Sequence, residues 1–95
     1  MELNDRTSQQ QVEQKLITII SKQLDVPPEK ITPESEIVIG GELPFDSLEI
    51  AEFYMNAESA FDLTLSDDAH EKAFPGARPT VRSVATLIMR ARNQV

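Results

Sequence analysis

The chain has 95 residues, of which 16 are acidic and 9 basic, giving a formal charge of −7, and it contains 40% hydrophobic residues and no cysteine. That length leaves room for one domain of about 100 residues, so 1–95 is expected to fold as a single unit and, given its charge, to stay monomeric. The lack of cysteine excludes disulfides, thiolate catalysis and thiolate zinc sites and suits a reducing compartment, with the cytoplasm as the expected location. The negative charge opposes a nucleic-acid backbone but favours basic patches on partner proteins.

Residues 1–6 hold no apolar secretory-type run, and the longest nearly apolar stretch, 16–20, falls far short of the roughly 20 residues a membrane span needs. Residues 7–24 are predicted to form the first helix. Thr7 can cap it, Gln10 completes a capping-box pattern, and Val12, Leu16, Ile19 and Ile20 recur at helical spacing. Pro27-Pro28 stop it. From there to Phe45 the chain reads as a long loop, punctuated by Pro33, Gly40, Gly41 and Pro44 and anchored by Ile31, Ile37, Val38, Ile39 and Leu43. A connection this long in a small domain tends to be functional.

The second helix is predicted over 46–61, with Leu48, Ala51, Tyr54, Met55, Ala57 and Phe61 as its apolar face and Glu49, Glu52, Asn56 and Ser59 along an outer stripe. Ser66 or Asp67 would cap a short third helix over 67–73, ended by Pro75-Gly76. Thr80 would cap a last helix over 80–92, burying Val81, Val84, Leu87, Ile88 and Ala91 and leaving Arg82, Arg90 and Arg92 wet. No segment alternates as a sheet strand does, so the expected fold is all-α: a small four-helix bundle, three helices longer and one short, with a long loop between helices one and two.

Self-sufficient chemistry is hard to find. The lone histidine, His70, lacks evident triad partners or further ligands and reads as a partly exposed polar residue; no metal site is expected. Gly40-Gly41 reads as a bend, having no Lys-Ser/Thr pair after it. The carboxylates are expected on solvated faces, with none in a periodic apolar face. The informative segment is 45–52, Phe-Asp-Ser-Leu-Glu-Ile-Ala-Glu, which sets Ser47 in the first turn of the central helix. The free amide protons and partial positive charge there favour a phosphodiester on Ser47. The plainer alternative is that Asp46 is an N-cap with Glu49 in a capping-box role.

Several ordered segments together resemble the acyl carrier protein family. Val26-Pro27-Pro28-Glu29-Lys30-Ile31-Thr32-Pro33-Glu34-Ser35 is similar to its opening loop, Asp46-Ser47-Leu48 to its D-S-L modification motif, residues 57–68 to the L-E-E-x-F-x-I-x-I-P-D-E stretch, and Thr80-Val81 with Val84 and Ile88 to its last helix. The chain departs from the pattern in having Leu43-Pro44-Phe45 where Leu-Gly-x is usual, in a longer first loop and in an apparent insertion at 74–79. The resemblance implies a 4′-phosphopantetheine arm on Ser47 that carries acyl thioesters, in a specialised fatty-acid, lipid or polyketide pathway. It implies a non-catalytic protein. Its partners would be a phosphopantetheinyl transferase of the holo-carrier-synthase type and an acyl-loading ligase, ketosynthase or acyltransferase. Asp46, Glu49, Glu52 and Glu58 are candidate docking charges, and Leu48 and Ile50 candidate apolar docking contacts. The alternatives are a free-standing peptidyl or aminoacyl carrier, an unmodified acidic interaction module, and, more distantly, a hydrolase using Ser47 with His70.

Overall fold

The computed structural model describes residues 5–92, with side chains from Ser8 onward. Its helices are α1 (Asp5–Leu24), α2 (Ser47–Phe61), α3 (Ala69–Ala73) and α4 (Val81–Arg92), with a single 3-10 turn at Pro28–Lys30. No strand forms among the described residues, only isolated bridges pairing Glu36 with Thr80 and Ile39 with Phe45. The molecule is an all-α bundle.

Helix α1 starts at Asp5, two residues before the expected position, so Thr7 lies inside the helix and is not its N-cap. It buries Val12, Leu16, Ile17 and Ile20 against α4 and α2. It also buries Glu13, against the expectation that no apolar face holds a carboxylate. The acid is tolerated because Gln9 Nε2 donates to it at 3.3 Å and Arg82 Nε of α4 stands 3.6 Å away, so its charge keeps partners.

Both long helices before α4 end with an aspartate in the left-handed region. Asp25 has φ 57° and Asp62 φ 55°. The next amide reaches back in each case, Val26 N to Ser21 O at 3.1 Å and Leu63 N to Glu58 O at 3.1 Å. These are Schellman endings built without glycine.

The long loop is tied down where α4 begins. Val81 N and Arg82 N, which have no partner inside their own helix, donate to Ser35 O at 3.0 Å and Pro33 O at 2.9 Å. Ser83 N is capped by Thr80 Oγ1 at 3.1 Å and Val84 N by Thr80 O at 3.0 Å, so Thr80 caps α4 as its sequence implies. Ile31, Ile37, Leu43 and Phe45 of the loop enter the core, but Ile39 remains 66% exposed and is not an anchor.

Helix α2 differs most from its expected face. Phe53 and Ala57 are the buried residues, with Ile50, Tyr54 and Phe61 partly covered, whereas Leu48 and Met55 are 67% and 65% exposed. Apolar side chains occupy more than half of this helix's circumference, and periodicity finds the middle of such an arc rather than the side that meets the core. α2 packs on α1 but makes no comparable contact with α3 or α4 among the described residues, and a cleft opens on that side.

Candidate functional site

The site begins where the loop becomes α2. Phe45 is buried and its ring meets that of Phe53 edge-on, 6.1 Å between centroids, which fixes the chain just before the helix. Phe45 N donates to Leu43 O at 2.8 Å across Pro44. This three-residue turn suits the proline's fixed φ, so no glycine is needed there; the positive φ in this loop, 82°, is at Gly40. Asp46 then caps α2, its Oδ1 accepting from Glu49 N at 2.8 Å.

Ser47 is the first residue of α2 and is exposed. Asp46 satisfies the amides of Glu49 and Ile50, leaving those of Ser47 and Leu48 without a partner among the described residues. The hydroxyl therefore stands beside open amide donors at the positive end of the helix dipole.

A cleft of about 590 Å³ separates α2 from α3, the middle of α4 at Leu87 and the 77–79 segment. Ile50, Ala51, Tyr54, Met55 and Glu58 line it from α2. They follow Ser47 at helical spacings, so the serine heads the same face of the helix. Ile37, Leu65, His70 and Leu87 contribute from the other elements.

His70 corrects the sequence reading: it is buried, 9% exposed, rather than partly exposed. Its Nε2 lies 2.8 Å from Ser83 Oγ and its ring 5.1 Å from that of Phe74. Burial pushes its pKa below the ordinary value, while Glu71 opposes the shift. Because its partner is the serine of the α4 cap and not Ser47, the Ser47–His70 hydrolase geometry is not assembled. Neither Ser66 nor Asp67 caps α3; the N-cap position falls on Asp68, whose side chain makes no capping bond. Among the described residues no group of three metal-ligating side chains comes together.

The remaining candidates lie along α2 and its cap, on more than one side of the helix. Leu48 and Glu52 are exposed, and Asp46 and Glu49 flank Ser47. Asn56 Nδ2 donates to Gln23 Oε1 at 3.3 Å, and Gln23 in turn donates to Glu49 O at 2.6 Å, so the edge next to α1 is held by amides. Glu58 is half-buried, and its Oε2 accepts from Leu65 N at 2.8 Å, bracing the turn after α2. Ile50 packs partly on the core and lines the cleft. No described helix is long and apolar enough to cross a membrane. The walls of the cleft come from five separate segments, the loop at Ile37, α2, residues 65–71, residues 77–79 and Leu87 of α4, so no single element's pattern outlines it; the Thr80-to-Ser83 spacing is a local signal for part of the His70 environment.

No family model matches the chain. A protein named acyl carrier protein from Syntrophobacter fumaroxidans (strain DSM 10017 / MPOB) is 42% identical over 57 residues, covering 60% of this chain and 68% of that one. Another of the same name, from Picosynechococcus sp. (strain ATCC 27264 / PCC 7002 / PR-6), is 38% identical over 63 residues, covering 66% of this chain and 75% of that one.

Proposed function

This chain belongs to the acyl carrier protein family, and we propose that it holds acyl intermediates on a 4′-phosphopantetheine arm attached to Ser47, in a specialised fatty-acid, lipid or polyketide pathway. The observation that carries the reading is the position of Ser47: an exposed hydroxyl on the first residue of α2, heading the helix face that lines the cleft.

The residues present fit the group. No side chain bonds the Ser47 hydroxyl among the described residues, so it is open to a phosphopantetheinyl transferase. The amides of Ser47 and Leu48 can face a phosphodiester, while the Asp46 carboxylate, engaged by Glu49 N, is held at the cap. The arm supplies a terminal thiol on which an acyl group is held as a thioester. The chain itself performs no bond chemistry; it fixes the attachment point to a rigid helix end and offers partners a surface. Partner enzymes then meet the cargo at high effective concentration. Leu48 and Glu52 form the outer part of the docking surface, Asp46 and Glu49 the part beside Ser47, and Ile50 and Glu58 its inner edge along the cleft. Arginine- and lysine-rich patches on a transferase, ligase or ketosynthase complement it.

Intact-mass measurement after incubation with coenzyme A and a permissive transferase tests the reading. One phosphopantetheine addition, absent from Ser47→Ala, is expected. An addition that persists on the alanine variant overturns the site, and no addition on the folded protein overturns the carrier assignment.

A further inference from the structure

We propose that the cleft selects an oxygen-bearing, uncharged acyl chain, whose hydroxyl or keto oxygen hydrogen-bonds to Tyr54 and His70. The inference deepens the carrier reading and rests on Ser47 as the point from which cargo enters.

Most of the cleft wall is apolar, with Ile37, Ile50, Met55 and Leu87 among its side chains, which suits a hydrocarbon chain. Three neutral polar side chains interrupt that wall, of which Ser66 already donates to Asp68 Oδ1 at 3.0 Å, leaving two. Tyr54 lines it in mid-helix, partly covered, with its ring edge-on to Phe53 at 5.3 Å. Its hydroxyl has no hydrogen-bond partner among the described residues, and no sealed side-chain polar atom there lacks one, so this hydroxyl is accessible. His70 is the second. Its Nε2 is taken by Ser83, while its Nδ1 has no partner among the described residues and, by the same reasoning, is open.

The Ser83 hydroxyl makes His70 adaptable. It accepts from Thr80 N at 2.8 Å and has one proton to give, to Thr80 O at 3.1 Å or to His70 Nε2 at 2.8 Å. When the proton goes to Thr80, His70 carries its own on Nε2 and Nδ1 accepts; when it goes to His70, Nδ1 donates. A cargo hydroxyl suits the first state and a keto oxygen the second. Burial raises the pKa of Tyr54 and lowers that of His70, so both stay neutral near pH 7.

A plain alkyl chain in the same cleft would strip water from both groups and give nothing back. A carboxylated chain end would meet Glu58, Asp67 and Glu71, which line the cleft as well, and be repelled. What remains is a neutral chain carrying oxygen.

The test avoids any transferase. The sequence has no cysteine, so Ser47→Cys supplies a unique thiol. It is alkylated with haloacetyl pantetheine amides bearing an octanoyl, a 3-hydroxyoctanoyl, a 3-oxooctanoyl or a carboxylated chain, and hydrogen exchange of the α2 and α3 amides is followed. The oxygenated neutral chains are expected to slow exchange about three- to tenfold more than octanoyl, the scale of one net hydrogen bond, and the carboxylated chain to give less protection than octanoyl. Adding Tyr54→Phe, or separately His70→Phe, is expected to close the gap between the oxygenated chains and octanoyl, the oxygenated chains losing protection and octanoyl gaining some because it no longer desolvates that polar group. Equal protection by all chains, or an equal fall for octanoyl and oxygenated chains in both variants, overturns the proposal. Because the tether bypasses the serine hydroxyl, this result stands apart from whether a transferase modifies Ser47.

Discussion

Phe45 and Phe53 meet edge-on, centroids 6.1 Å apart and ring planes at 70°, joining the last residues of the long loop to the one aromatic side chain that α2 buries completely. The contact places Asp46 and Ser47 at the start of the helix rather than in a free loop. Truncating Phe45 to alanine removes a buried ring and leaves a cavity, so a loss of about 3 kcal/mol is expected in urea unfolding. Phe45→Leu should cost about 1 kcal/mol, by retaining most of the volume. If the alanine variant loses less than the leucine variant, the ring does not anchor the helix start.

The two aspartates in left-handed backbone offer a gain. Asp25 and Asp62 end α1 and α2 at φ 57° and 55°, where a side chain costs energy and glycine does not. Asp62→Gly is expected to stabilise the fold by roughly 0.5–1 kcal/mol, and Asp25→Gly by a similar amount. Calorimetry would show this as a rise in Tm of a few degrees; a fall at both positions would contradict the Schellman reading.

His70 should give the protein a pH-dependent stability. Its folded pKa lies below the ordinary 6.5 because burial disfavours the charged imidazolium. The unfolded chain therefore takes up the proton first, so the contribution of neutral His70 is complete above about 6.5 and is lost as pH falls through its folded pKa. Tm should decline between pH 7 and the onset of carboxylate titration. The decline should be smaller in His70→Phe. Parallel curves for the two proteins would remove His70 as the cause.

Charge on α2 should govern partner encounter. Reversing Glu49 and Glu52 to lysine is expected to weaken binding to a transferase or synthase about tenfold at low salt, with the difference shrinking as salt rises, because exposed charges are screened over about 8 Å at physiological ionic strength. Circular dichroism should stay unchanged. A loss equal at all salt concentrations would point to damage of the fold at the Gln23–Glu49 contact.

The starts of α2 and α4 were legible in the sequence because their signals are local. Thr80 caps α4 and Asp46 caps α2, each through hydrogen bonds within a few residues, whereas α1 ends before its prolines, at the left-handed Asp25. The D-S-L segment around Ser47 was equally legible, since helix position is set by the same short-range rules. The side of α2 that meets the core was not. Leu48 and Met55 are apolar like Phe53, and which of them is buried depends on where α1 lies and where α3 and α4 stay away.

Burial of charged and polar side chains was likewise a tertiary decision. Glu13 is tolerated inside because Arg82, far along the chain, comes beside it together with Gln9, and His70 is covered where Ser83 and Phe74 stand beside it. Sequence patterns carry the periodicity of one element at a time; a cleft, or a partner for a buried charge, exists only between elements. Thus the sequence by itself determined a helical bundle with an exposed serine at the head of its central helix. The tertiary packing decided that the face of α2 below that serine lines a cleft, and that Tyr54 and His70 stand in its wall.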